Sequence, residues 1–235
     1  MSFRSLLAKL YQYELVKRMK NALRPLKHAL FGKEGIYRAM EEVARLHGGA
    51  DQVRVIFDVG AATGEYAEHF LKYFTRATVY CFEPLPSSFK VLERRTQPYR
   101  DRAKLFNYGL SDAEGDATFH VAPYADASSA LDKGIPGTVS AAVRMRRLDD
   151  VVKELGLTAI DFAKVDVEGT EREVLEGGRE AFKNAVASAF IEIQPQFKGY
   201  YARAHIEVFD MMQKFGFGFG GAFEDYFFSK RLPCQ

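Results

Sequence analysis

A chain of 235 residues, 47% of them hydrophobic, has ample material for one large core, so a single α/β domain with an N-terminal extension is expected. The formal charge of +2 at pH 7 is too near neutral to argue for nucleic acid by itself. No apolar run approaches the length of a membrane span, and the N-terminus shows no signal-peptide pattern.

Residues 1–33 set eight Lys and Arg side chains against one acid, Glu14, while apolar residues from Phe3 to Leu30 recur at helical spacing. This reads as one or two helices packed on the domain edge with a solvated basic face. The alternative is a segment resting on an anionic membrane or on a partner. A further helix over 35–46 ends at Gly48-Gly49. Residues 1–50 are therefore expected to form a helical extension and 51–235 the main domain.

Beyond that point short apolar, β-branched runs alternate with amphipathic segments. Strands are expected over 53–59, 78–82, 104–108, 160–167 and 188–193, with a terminal pair near 215–219 and 226–229. Helices are expected over 65–74, 86–96, 148–155, 170–176 and 204–215. The alternation implies a doubly wound, mostly parallel, seven-stranded sheet that binds ligands outside the carboxyl ends of its strands. Between the third and fourth strands, 115–121 and 139–145 look extended. The stretch 122–137, rich in Ala, Ser, Gly and Pro, is either a cover over a site or a solvent loop. Cys81 lies inside an apolar run and Cys234 beside the C-terminus. They make no disulfide framework and no metal spacing, which favours a reducing, cytoplasmic compartment.

Three groups of residues carry chemistry. In Asp58-Val59-Gly60-Ala61-Ala62-Thr63-Gly64 an apolar strand ends in an acid and turns through glycines into a helix. Gly60 and Gly64 let backbone approach a ligand, and the helix start presents free N–H groups. Glu83 closes the second strand in Phe82-Glu83-Pro84, where an acid accepts hydrogen bonds from ribose hydroxyls in nucleotide-binding sheets. A dinucleotide fingerprint would also need glycines at positions 62 and 65. The chain has Ala62 and Glu65, and an acid in the first helical turn repels a pyrophosphate. S-adenosylmethionine, a sulfonium cation without phosphate, is compatible with nearby acids.

The second group is Lys164, Asp166 and Glu168, which a period of two projects to one side of the fourth strand. Charges in such a strand are costly unless paired or facing a cavity, so the readings are a structural ion pair or a site at the strand end. Gly169 then permits a sharp turn into the next helix. The third group is Glu192 and Gln194 at the end of the fifth strand, suited to hold acceptor hydroxyls, with Tyr200 and Tyr201 beyond, which either stack on a sugar face or are ordinary loop packing. His120 and His205 are lone histidines, read as surface or satisfied residues.

These pieces, with Asn107-Tyr108-Gly109-Leu110-Ser111-Asp112, Gly115, Arg147-Leu148-Asp149-Asp150 and Lys164-Val165-Asp166-Val167-Glu168-Gly169-Thr170-Glu171, together resemble the FkbM family of S-adenosylmethionine-dependent methyltransferases. The family usually has asparagine where this chain has Ala62, which is not counted as a ligand. The resemblance implies a class I methyltransferase fold, S-adenosylmethionine as cofactor and O-methylation of sugars, glycolipids or polyketide-like metabolites. It implies that Gly60, Ala61, Thr63 and Gly64 shape the cofactor loop and Asp58 orients it. Glu83 with Pro84 would hold the ribose, and Ser111 and Asp112 would lie near the adenine. Asp166 faces the methyl group with Glu168 or Lys164, and is the first choice for proton acceptor. No metal is assigned, since no spacing among Asp166, Glu168 and Glu192 demands one. Rival readings are a nicotinamide-dependent oxidoreductase and a non-catalytic binding protein of the same fold. Nucleic-acid amino-methylation is disfavoured, because Asp166-Val167-Glu168-Gly169 stands where those enzymes carry Asp/Asn-Pro-Pro-aromatic.

Overall fold

The computed structural model describes residues 34–121, 128–130, 137–193, 201–222 and 226–232. The expectations for 1–33, Gln194, Tyr200, Cys234 and most of 122–137 lie outside them, as do the side chains of Tyr201 and His205. In chain order, α1 (Glu34–His47), β1 (Val55–Val59), α2 (Glu65–Tyr73), β2 (Thr78–Phe82), α3 (Pro86–Thr96) and β3 (Ala103–Phe106) come first. Then follow β4 (Gly109–Ser111), β5 (Gly115–Val121), β6 (Val139–Arg147), α4 (Leu148–Glu154) and β7 (Ile160–Val165). The remainder is α5 (Glu171–Gly177), α6 (Arg179–Asn184), β8 (Val186–Ile191), α7 (Tyr201–Lys214), β9 (Gly218–Ala222) and β10 (Tyr226–Ser229).

The main sheet has seven strands in the order β3-β2-β1-β7-β8-β10-β9. The first five pair in parallel, while β10 runs antiparallel to both β8 and β9. The chain winds outward from β1 through β2 to β3 and then returns to place β7 on the other side of β1. That reversal opens a crevice at the carboxyl ends of β1 and β7, where doubly wound sheets bind ligands.

Alternation along each central strand divides the core in two. Ile56 and Phe162 join Ile36, Ala39, Met40 and Val43 of α1 and Ala67, Phe70 and Leu71 of α2 on one face. Phe57, Val59, Ala163 and Val165 join Leu148, Val174, Phe182 and Met212 of α4 to α7 on the other. Helix α1, expected within the N-terminal extension, thus packs into the main core. With its period of two, β1 sends Asp58 to the same face as Ile56, and β7 sends Lys164 to the same face as Phe162.

Differences from the expected elements have local causes. Strand β3 stops at Phe106 because Asn107 turns away, its Nδ2 donating to the carbonyls of Glu83 (2.9 Å) and Pro84 (3.2 Å). Strand β7 stops at Val165, and Glu168, with φ 60°, lies outside extended backbone. The pieces at 115–121 and 139–145 are the strands β5 and β6 of a separate three-stranded sheet, order β4-β6-β5. Its third member, β4, is three residues long and too short to announce itself by alternation. Helix α6 was not expected, because Gly177-Gly178 reads as the end of a helix and not as the joint between two.

Candidate active site

The site grows out of a collision that only glycine avoids. After Val59 the chain turns through Gly60 (φ 78°), and a Cβ there would lie 1.9 Å from the Asp166 carbonyl oxygen. The first loop and the end of β7 are thus packed backbone against backbone, tied by the Asp166 amide donating to the Val59 carbonyl (3.1 Å). The amides of Gly60 and Ala61 both donate to the Phe82 carbonyl at 3.0 Å, fixing the loop to the end of β2. Gly64 closes the loop at φ 80°, its amide on the Ala61 carbonyl, and α2 begins with the next residue. Thr63 lies in this loop, and Ala62, with φ 46°, is its exposed tip.

The Lys164 ammonium sits between two carboxylates, 3.2 Å from Asp58 Oδ1 and 3.2 Å from Asp166 Oδ2. It also donates to the Gly60 carbonyl at 3.0 Å. The Gly60 carbonyl takes the hydrogen bond, while the two carboxylates are ion-pair partners of the ammonium. The Tyr66 ring of α2 lies 5.0 Å from the same nitrogen. Burial disfavours the ammonium, but Asp166 and then Asp58 outweigh it and hold Lys164 well above the ordinary lysine range. Lys164 is therefore a fixed cation and not a proton acceptor. Burial raises Asp58, with Lys164 opposing. The side chains of Asp58 and Lys164 are 0% and 3% exposed, against 17% for Asp166, so Asp166 is the member of the cluster that opens outward. Two carboxylates sharing one ammonium leave a net negative charge, a setting that favours a cationic group at the strand ends.

Glu83 is buried just beyond β2. Its Oε2 accepts from the Ala62 amide (2.9 Å) and its Oε1 from the Leu85 amide (2.8 Å), so it shapes the glycine loop. Each oxygen keeps a second lone pair for a hydroxyl donor. Burial pushes its carboxyl up to about 7, against the lowering effect of the two amides. Glu192 follows β8, its amide on the Val165 carbonyl at 2.9 Å, and its carboxylate helps to hold Lys164 protonated. Glu168 stands in the turn between β7 and α5, and Tyr201 opens α7.

Ser111 closes β4 and Asp112 follows it. Ser111 pairs with Arg147 in the small sheet, and its hydroxyl donates to Asp112 Oδ1 (3.1 Å). The Ser111 carbonyl packs where a Cβ on Gly177 would stand, at the far end of α5. No described contact joins these two residues to the Asp58–Lys164–Asp166 cluster; the polar residue that follows β3 directly is Asn107.

Residue-by-residue reading of the sequence gave no role to Tyr66, Asn107, Ser129 or Glu171. Glu171 is buried at the start of α5, and its Oε1 accepts from the Gly169 amide (2.9 Å) and, at 3.4 Å, from that of Val167. Burial pushes it up to about 7. An acid in a first helical turn reads as dipole complement, so its hold on the 166–170 loop had no distinct signal. Among the described residues no group of three or more His, Cys, Asp or Glu could hold a metal ion, and no helix is long and apolar enough to cross a membrane.

An acid within β1, the glycine loop after it and acids after β2 and β7 thus gather at the carboxyl edge of a doubly wound sheet, where such folds bind ligands. The Methyltransferase FkbM domain matches residues 58–219, and the chain belongs to that family. It is 31% identical over 199 residues to the AMB antimetabolite synthetase AmbE of Pseudomonas aeruginosa, covering 69% of this chain and 9% of that protein. It is 32% identical over 143 residues to the 2-O-methyltransferase NoeI of Sinorhizobium fredii, covering 54% of this chain and 58% of that one. It is 29% identical over 155 residues to the hexuronic acid methyltransferase AglP of Haloferax volcanii, covering 66% and 60%. The chain thus spans less than two thirds of the length of each of these relatives.

Proposed function

We propose that this chain is an S-adenosylmethionine-dependent O-methyltransferase acting on a hydroxyl of a sugar, glycan or related metabolite. The observation that carries the reading is the Asp58–Lys164–Asp166 cluster, net negative, set against the glycine loop at the carboxyl ends of β1 and β7. A sulfonium suits that charge and a pyrophosphate does not, which disfavours a nicotinamide enzyme. The names of NoeI and AglP support oxygen and sugar as the acceptor class. A cytoplasmic setting belongs to the same reading.

When bound, the cofactor supplies an electrophilic methyl group. Gly60, Ala61, Thr63 and Gly64 would line its methionine end, with Asp58 and Lys164 holding the loop from below. Glu83 would accept from the ribose hydroxyls while keeping the Ala62 amide. Asp166, the outward member of the cluster, would take the proton of the acceptor hydroxyl, with Glu168 next in line. Glu192, and Gln194, Tyr200 and Tyr201 after it, would hold the acceptor. Holding oxygen and methyl carbon in attack geometry would provide most of the acceleration.

The test is transfer of labelled methyl from S-adenosylmethionine to neutral hexosides and hexuronides by the wild type and by Asp166→Asn. Transfer to oxygen is expected, with the variant slower by about two to four orders of magnitude at little-changed cofactor affinity. Near-normal turnover in folded variant would remove Asp166 as the base, and absence of transfer to any hydroxyl would contradict the acceptor class.

A further inference from the structure

The turn after β7 is held from three directions. Strand β1 takes the Asp166 amide, Glu171 of α5 takes the Gly169 amide, and Ser129 comes from outside both. Ser129 is fully buried, and its hydroxyl donates to the Glu168 carbonyl at 2.8 Å. Its own backbone is pinned to β5: the His120 amide donates to the Ser129 carbonyl (2.7 Å) and the Ser129 amide to the His120 carbonyl (3.1 Å). Ser128 beside it is also buried. The carbonyl that Ser129 holds belongs to a residue in the left-handed region, Glu168 at φ 60°, where a side chain is disfavoured and outside support is needed.

We infer that Ser129 is a positioning residue of the site, its hydroxyl holding the Glu168 carbonyl and through it the 166–170 turn in the shape that receives the cofactor. The inference rests on the methyltransferase reading. It assigns the small sheet a purpose beyond its own packing, because β5 is the anvil against which Ser129 presses the turn that carries Asp166 and Glu168. It also separates two explanations of a buried serine. A serine that merely satisfies its own hydroxyl would affect stability alone, whereas one that sets the turn affects what the turn binds.

The experiment is calorimetric titration of the full chain with S-adenosylhomocysteine, alongside thermal unfolding, for the wild type, Ser129→Ala, Ser129→Cys and Ser129→Thr. The Ala variant is expected to raise the dissociation constant about five- to thirtyfold, with Thr restoring it towards wild type. Cys, nearly isosteric but a weak donor, is expected to fall with Ala and keeps the comparison with Thr open if Ala does not fold. In a Glu168→Gly background, where the left-handed conformation carries no side-chain penalty, the effect of Ser129→Ala is expected to shrink. Affinity unchanged in folded Ala or Cys variants, with only the melting temperature lowered, would overturn the positioning role and leave the methyltransferase reading standing. A wild type that does not bind S-adenosylhomocysteine would overturn both.

Discussion

Replacing Lys164 with methionine would leave two carboxylates without their shared cation, one of them, Asp58, with no exposed surface. Removing one partner from a buried ion pair costs about 3–5 kcal/mol, so Lys164→Met is expected to lose that much in urea denaturation. Adding Asp58→Asn should recover part of it, since an amide carries no charge to strand. A loss below about 1 kcal/mol would mean that the cluster does not organise the strand ends. This residue was legible in advance. Three charges at a period of two in a strand that should be apolar signal either an ion pair or a site, and here the ion pair forms the floor of the candidate site. Ser129 was not legible, because the stretch around it has no periodicity, and its partner, Glu168, lies 39 positions further on.

At the scale of elements, β2 and β10 fall where their sequences place them. Strand β3 drifts because a tertiary contact sets its end. Asn107 ends β3 by bonding back to the carbonyls after β2, a pairing across 24 positions that no local pattern contains. Helix α1 makes the same point about boundaries. Gly48-Gly49 looks like the edge of a domain, yet Ile36, Ala39, Met40 and Val43 just before it are almost completely buried in one cluster with Ile56, Phe162 and Phe190 of the sheet. Burying that face contributes on the order of 10 kcal/mol of gross apolar transfer, comparable with the whole net stability of a typical domain. A chain lacking residues 1–49 is therefore expected to fail to fold. Cooperative unfolding of that chain, followed by circular dichroism, would show that α1 is dispensable.

For the whole molecule, the acids gathered around the crevice make stability depend on pH in a defined direction. Glu83 and Glu171 are both raised to about 7 from an unfolded value of 4.5. The stability they contribute is full below about pH 4.5 and is lost as pH rises through 7, by at most about 3 kcal/mol each. Denaturation midpoints should therefore climb from pH 8 towards pH 5, and Glu171→Gln should flatten the climb. A midpoint constant over that range in the wild type would mean that the two carboxyls titrate normally. Both acids gave part of their role away in the sequence: Glu83 by its place at a strand end, Glu171 only by its place in a motif. Their burial, which sets the shift, comes from the packing of the whole sheet and helices and could not be read locally. On the proposed function, the charge of that crevice favours S-adenosylmethionine over a dinucleotide. Titration of the full-length protein with S-adenosylhomocysteine and, separately, with NAD in the same calorimeter tests this most directly. Saturable binding of S-adenosylhomocysteine, weakened by Glu83→Ala in folded protein, with no heat from NAD, is the predicted result; tighter binding of NAD would contradict the account.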